Sequence, residues 1–190
     1  ERNHHALILT KANSPSVYRI GFKVASEDDL DQAASFYADK GCATAWVERY
    51  AQGRTLHVDD PFGIPLEFYY KMEHRELLLQ QYTMYKGARI QRIDHFNLFS
   101  NDVNTMTAFY VEELGFRMTE ATVADIKDED SDLWGTWLHR RGGVHDIAFT
   151  NGLGPRLHHI GVYVPTATDV INFCDRLASS DHKDAFERGP

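Results

Sequence analysis

HDIAFTNGLGPRLHHIGVYVPTATDV (residues 145–170) repeats HALILTKANSPSVYRIGFKVASEDDL (residues 5–30) without a gap, 140 residues further along the chain. His5/His145, Thr10/Thr150, Pro15/Pro155, Ile20/Ile160, Gly21/Gly161, Val24/Val164 and Asp29/Asp169 are identical. Leu7/Ile147, Val17/Leu157, Phe22/Val162 and Leu30/Val170 are alike. A turn proline and a strand glycine both recur, so the agreement includes positions chosen for backbone geometry.

The repeated unit reads as strand, turn, strand, helix. Alternating segments 5–10 and 18–24 predict strands joined by a polar Pro/Ser/Asn turn. Ser26 predicts a helix N-cap, with Asp29 three residues on in place of the usual Glu or Gln. Ala33, Ala34, Phe36 and Tyr37 give the helix an apolar face, and Gly41 ends it. Thr166 and Asp169 start the second copy's helix in the same way. Strands follow over 43–49, 54–59 and 65–70, the last carrying Glu67. Residues 72–91 predict a polar, helical connector. RIDHFNLFS (92–100) is a fresh strand. Ser100 or Asn101 would cap a helix through DVNTMTAFYVEELGF, closed by Gly115. Strands are expected near 116–124, 133–140 and 144–149. The acidic stretch DIKDEDSDLWG (125–135) lacks the Gly and terminal Glu of a calcium loop and reads as solvated.

The expected fold class is therefore α+β, built from tandem βαβββ modules. Residues 1–71 form a partial N-terminal module, 72–91 the connector, and 92–190 a partial C-terminal module. The strand and helix at 92–115 have no counterpart in the first copy, and the strand bearing Glu67 has none in the second. The repeat thus implies a fragment, with about 50 residues ahead of it and the closing strands within roughly 30 residues after Pro190.

Composition narrows the function. The chain has 190 residues, 43% hydrophobic and 25% charged, with a net charge of -8. A net-acidic chain without a Lys/Arg-rich block argues against a nucleic-acid or membrane-surface partner. No apolar run has the length of a membrane span, and no signal peptide is visible. Cys42 and Cys174 have no metal-motif spacing and read as reduced thiols of a cytoplasmic protein.

The candidate metal ligands come from strand alternation. In RLHHIGVYV, Leu157, His159, Gly161 and Tyr163 share one face, and His158, Ile160, Val162 and Val164 the other. Adjacent histidines on a regular strand cannot both enter one cavity. The apolar face suits packing under the helix, and Gly161 leaves room on the other. His159 is therefore expected in the cavity and His158 at the back. In RIDHFNLF, His95 and Asn97 share a face opposite Asp94, Phe96 and Leu98. Two imidazoles and a carboxylate make the facial site of non-haem Fe(II) enzymes, with three positions open. Ordinary hydrogen-bonded histidines would give the same sequence. In the first copy Arg19 stands where His159 does, so that half would be metal-free.

At these residues the chain resembles the type I extradiol ring-cleaving dioxygenases of the vicinal oxygen chelate superfamily. Within them it is most similar to the enzymes that open homoprotocatechuate (3,4-dihydroxyphenylacetate). The resemblance is densest in DHFN, TWLHRRGGVHDIAFT, GPRLHHIGVYVP and FERGP and spans nearly the whole chain. It implies His95 and His159 as metal ligands and His145 as an acid–base histidine. It implies Asn97, Trp137 and Arg188 as substrate-binding residues, the last two for a carboxylate arm. The third ligand, a Glu, is expected beyond Pro190. The implied cofactor is Fe(II), with Mn(II) as the alternative. The implied reaction inserts both atoms of O2 into a catechol and yields a muconic semialdehyde. The resemblance also implies a homo-oligomer, specifically a homotetramer. Two other readings use the same fold: a metal-dependent isomerase or lyase, which needs no counterpart of His145, and a metal-free small-molecule-binding protein.

Overall fold

The computed structural model describes residues 2–14, 16–76, 81–84, 87–128, 131–181 and 184. The first unit runs β1 (Ile20–Lys23), α1 (Glu27–Asp39), β2 (Thr44–Arg49), β3 (Gly53–Asp59) and β4 (Pro65–Tyr69). The second runs β5 (Arg92–Ser100), α2 (Val103–Ala108), β6 (Arg117–Val123), β7 (Leu133–His139) and β8 (Ile147–Asn151). A π turn (Phe109–Glu113) continues α2, while β9 (Arg156–Tyr163) and α3 (Ala167–Ala178) follow the second unit. Both units use one strand order: first, fourth, third, second. In each the first and fourth strands are parallel, β1 with β4 and β5 with β8. The first unit's copy of β9 is β1; β9 itself lies antiparallel on the free side of β5. This is the expected α+β, tandem βαβββ architecture.

The caps follow from local chemistry. Ser26 Oγ accepts from the Asp29 N–H at 3.2 Å, and Asp29 Oδ2 accepts from the Ser26 N–H at 2.9 Å. The shorter Asp therefore closes the reciprocal box that Glu or Gln usually makes. The cap of α2 is Asp102, not Ser100 or Asn101. Its Oδ1 accepts from the Thr105 N–H at 2.9 Å. Ser100 ends β5, and Asn101 is occupied with Gly154, donating to its carbonyl at 3.0 Å and accepting from its N–H at 2.9 Å.

One apolar cluster draws on both units. Ile20, Tyr37, Leu56, Val58 and Leu66 meet Leu98, Val103, Met106, Tyr110, Leu138, Ile147 and Phe149. Inside it the buried Tyr110 hydroxyl donates to Asp60 Oδ2 at 3.0 Å, joining the second unit to the turn before β4. Asp60 Oδ1 also accepts the N–H groups of Phe62 and Ile64 at 2.9 and 2.8 Å.

Two expected elements do not form. Segment 5–10 is not a strand, although its repeat partner is β8. β8 lies between β5 and β7; no strands among the described residues flank 5–10, and a strand without a ladder leaves its backbone groups unpaired. The connector is not a helix among its described residues beyond one 3-10 turn at Tyr82–Met84. Its start is instead paired sideways: His4 donates to the Glu73 carbonyl, Glu73 to that of Ala51, and Arg75 to that of Arg2. No helix among the described residues is long and apolar enough to cross a membrane. Cys42 and Cys174 are free thiols.

Candidate metal centre

The pairing of β5 with β9 is interrupted twice. Ile93 faces Val162 and His95 faces Gly161; Asn97 faces His159 and Leu98 faces Leu157. Asp94 and His158 are the extra residues, so each marks a β-bulge. Between the bulges, alternation places His95, Asn97, His159 and Gly161 on one face. Phe96, Leu98 and Leu157 lie on the other, against the core.

This corrects the simple reading of β9. Leu157 does not share the face of His159, because the bulge resets the alternation by one residue. His158 is not at the back of the strand. Its Nδ1 lies 2.7 Å from His159 Nδ1, and its ring centroid is 4.7 Å from that of Phe99. Ile160 and Val162 are not sealed under a helix, being 37% and 45% exposed.

The structure brings His95 and His159 together. Their Nε2 atoms are 3.2 Å apart, and the rings stand nearly perpendicular, at 85°. Gly161 permits this. A Cβ there would stand 2.6 Å from His95 Nε2 and closer still to other ring atoms. The first unit keeps the device at Gly21, where a Cβ would meet Glu67 Oε1 at 3.4 Å.

His145 stands beside the pair, its ring centroid 4.2 Å from that of His95. Its Nδ1 is buried without a hydrogen-bond partner among the described residues. Burial, then the charge of His95, lowers its pKa below 6.5. His159 is lowered as well, by burial and then by His158, His95 and His145. Both are therefore neutral near pH 7, the form that can ligate or accept a proton.

Asn97 is buried and accepts the Thr150 hydroxyl at 3.1 Å through Oδ1. Trp137 pairs with Ala148, two residues from Thr150, and so stands on the same face. Glu120 pairs with Trp137 and joins that face. Arg188 lies outside the described residues. In the first unit, Arg19 donates to the Val58 and Leu66 carbonyls and to Asp59 Oδ1, at 2.7, 3.2 and 2.7 Å. Its counterpart of the site is filled by a buried Glu67 facing Gln52, His57 and Arg49 at 3.3, 3.4 and 3.7 Å.

The pair fits a divalent ion. Two imidazole nitrogens each about 2.1 Å from one ion, at vertices near a right angle or a tetrahedral angle, lie roughly 3.0–3.4 Å apart. His95 Nδ1 faces Asp94 Oδ2 at 3.2 Å. Among the described residues no third His, Cys, Asp or Glu completes a metal-holding group. Sequence reading placed Asp94 and His158 on the far faces of their strands and did not single out Glu120, since a bulge leaves no trace in an alternating pattern.

A model of the Glyoxalase/Bleomycin resistance protein/Dioxygenase superfamily matches residues 92–190. The manganese-dependent 2,3-dihydroxybiphenyl 1,2-dioxygenase of Geobacillus genomosp. 3 is 28% identical over 192 residues, covering 94% of this chain and 60% of that protein. The metapyrocatechase of Pseudomonas sp. (strain CF600) is 26% identical over 192 residues, covering 95% and 61%. Native homoprotocatechuate 2,3-dioxygenase from Arthrobacter globiformis superposes with a TM-score of 0.91 at 36% identity, over 100% of this chain and 58% of that one. The Brevibacterium fuscum enzyme in its anaerobic complex with 3,4-dihydroxyphenylacetate gives 0.90 at 36% identity, over 100% and 59%. The chain thus spans about 60% of the length of these curated relatives.

Proposed function

The chain belongs to the Glyoxalase/Bleomycin resistance protein/Dioxygenase superfamily, and from that premise we propose that its protein is an extradiol catechol dioxygenase. The observation that carries the reading is the 3.2 Å approach of His95 Nε2 to His159 Nε2, beside the His145 ring, whose centroid lies 4.2 Å from that of His95. An isomerase or a metal-free binding protein has no use for that third imidazole.

His95 and His159 would hold Fe(II), or alternatively Mn(II), since two nitrogens and a carboxylate suit both ions. The third ligand would be a Glu occupying the place Glu67 has in the first unit. When bound, the ion offers open positions where both catechol oxygens and O2 can meet and share electron density. His145 is neutral near pH 7 and would hold, then deliver, a proton to a reacting oxygen through its imidazole. Its ring is partly desolvated, so its bond to a developing negative oxygen is stronger than the same bond in water. Asn97, its Oδ1 taken by Thr150, would offer its Nδ2 donor to the same side. Trp137 would wall the pocket, and Arg188 would pair with a substrate carboxylate in bidentate fashion.

The substrate we infer is 3,4-dihydroxyphenylacetate, opened to a muconic semialdehyde with both O2 atoms incorporated. Its carboxylate gives Arg188 a task, and the two solved neighbours described above are homoprotocatechuate enzymes. We place the protein in the cytoplasm as a homotetramer, a homo-oligomer with no nucleic-acid or membrane partner.

The test is anaerobic addition of 3,4-dihydroxyphenylacetate to the Fe(II)-loaded protein, followed by O2. A yellow ring-cleavage product with stoichiometric O2 uptake supports the reading. A colourless mixture with O2 unconsumed overturns it. Turnover of 2,3-dihydroxybiphenyl in preference to 3,4-dihydroxyphenylacetate would keep the reaction and reject the substrate.

A further inference from the structure

We propose that Asp94 and His158 are positioning residues, each placed by its own β-bulge to fix Nδ1 of the histidine that follows it. The inference rests on the reading of His95 and His159 as the ligands and assigns what aims them.

On a regular strand, residues 94 and 158 would face away from 95 and 159. The two bulges turn them round. Asp94 Oδ2 faces His95 Nδ1 at 3.2 Å, and His158 Nδ1 faces His159 Nδ1 at 2.7 Å. A close Nδ1 partner therefore occurs twice, on two strands, at the two residues whose Nε2 atoms meet; the Asp94 carboxylate can only accept, and His158 Nδ1 accepts when its own proton sits on Nε2. A proton held on Nδ1 leaves Nε2 as the lone-pair nitrogen, and a fixed Nδ1 bond also sets the ring's rotation. Without those partners each imidazole is free to take the other tautomer, with Nε2 blocked by hydrogen.

Each bulge is itself held. Asp94 Oδ1 accepts from Arg92 Nη2 at 3.0 Å, and the Asp94 carbonyl accepts from Arg141 Nη2 at 3.0 Å. Arg141 is locked by Asp146, its Nε 2.6 Å from Oδ1. Asp146 is buried and accepts the backbone N–H groups of Arg140 and Arg141 at 2.7 and 3.0 Å through Oδ2. The Asp94 bulge and the loop leading into His145 thus form one hydrogen-bonded unit. His158 is seated against Phe99, over whose ring the Arg156 guanidinium also lies, 4.7 Å from the centroid.

The experiment reads tautomers in the metal-free protein by long-range 1H–15N spectra and measures Fe(II) and Mn(II) affinity by chelator competition. In the wild type, both His95 and His159 should carry the proton on Nδ1. Asp94→Ala should give mixed tautomers at His95 alone, and His158→Ala at His159 alone. Each should weaken metal binding by about 10–100-fold. Asp94→Asn and His158→Asn, which keep an acceptor at the same reach, should recover most of both. Wild-type rings protonated on Nε2, or Ala variants with wild-type tautomers and affinity, overturn the proposal. A variant that loses its circular dichroism is set aside, because the wild-type tautomers decide alone. Failure of the function reading looks different: the wild type then takes up neither ion, whatever the tautomers show.

Discussion

His95 lays its imidazole across the bare backbone of Gly161, with Nε2 2.6 Å from where a Cβ would stand. The repeat partner Gly21 leaves 3.4 Å to Glu67 at the same place. The two glycines are thus a matched pair with different tolerance. Gly161→Ala must rotate or displace the His95 ring and should weaken Fe(II) or Mn(II) binding by about 10–100-fold, the range for a misaimed ligand. Gly21→Ala needs a shift of only a few tenths of an ångström and should leave metal affinity unchanged. Chelator competition on the two variants checks this, and equal affinities would refute the role given to Gly161.

His145→Phe keeps an aromatic ring beside His95 and removes the proton carrier. Turnover should fall by about 10²–10⁴-fold, the usual contribution of a general acid or base. Metal content and catechol affinity should stay near wild type, since His145 is not placed as a ligand. Oxygen-electrode rates and anaerobic catechol titrations measure both. Unchanged O2 uptake would refute the role given to His145.

Much of this site was legible before any coordinates. The repeat gave both βαβββ units, and Gly161 two residues after His159 pointed to space that the His95 ring fills. What was not legible had physical causes. Residues 5–10 carry the pattern of β8, but pattern cannot supply the neighbours β5 and β7 that a ladder needs. Asp94 and His158 were lost because alternation assumes an unbroken register, and a bulge shows only in pairing. The α2 cap moved to Asp102 because Asn101 was engaged 53 residues away, at Gly154, a contact no local rule contains.

Tyr110→Phe tests how the two units are joined. The hydroxyl is fully buried and donates to Asp60, whose own carboxyl is pushed up by burial. Removing the donor leaves Asp60 Oδ2 buried without that partner, which costs about 1–3 kcal/mol. Denaturant unfolding of the variant should show that loss with an unchanged slope. Adding Asp60→Asn should cost less in the Phe background than alone, since the two residues share one bond.

Acid stability should report the tie between Arg89 and Asp169. Arg89 donates to Asp169 through Nε and Nη2 at 2.8 and 2.9 Å, and the Thr166 hydroxyl adds a bond at 2.6 Å. Arg89 first, and then Thr166, hold the carboxyl well below its ordinary 3.8. A folded-state value below the unfolded one means the unfolded chain binds the proton first. The ion pair therefore contributes its full stability above 3.8, and that contribution is lost as pH falls toward the folded value. Asp169→Asn removes the titration. Melting temperatures of wild type and variant should keep a constant gap from pH 7 to about pH 5 and converge as acid is added below that. A gap that persists undiminished to the lowest pH at which both still fold would show that Arg89 does not hold the carboxylate in solution.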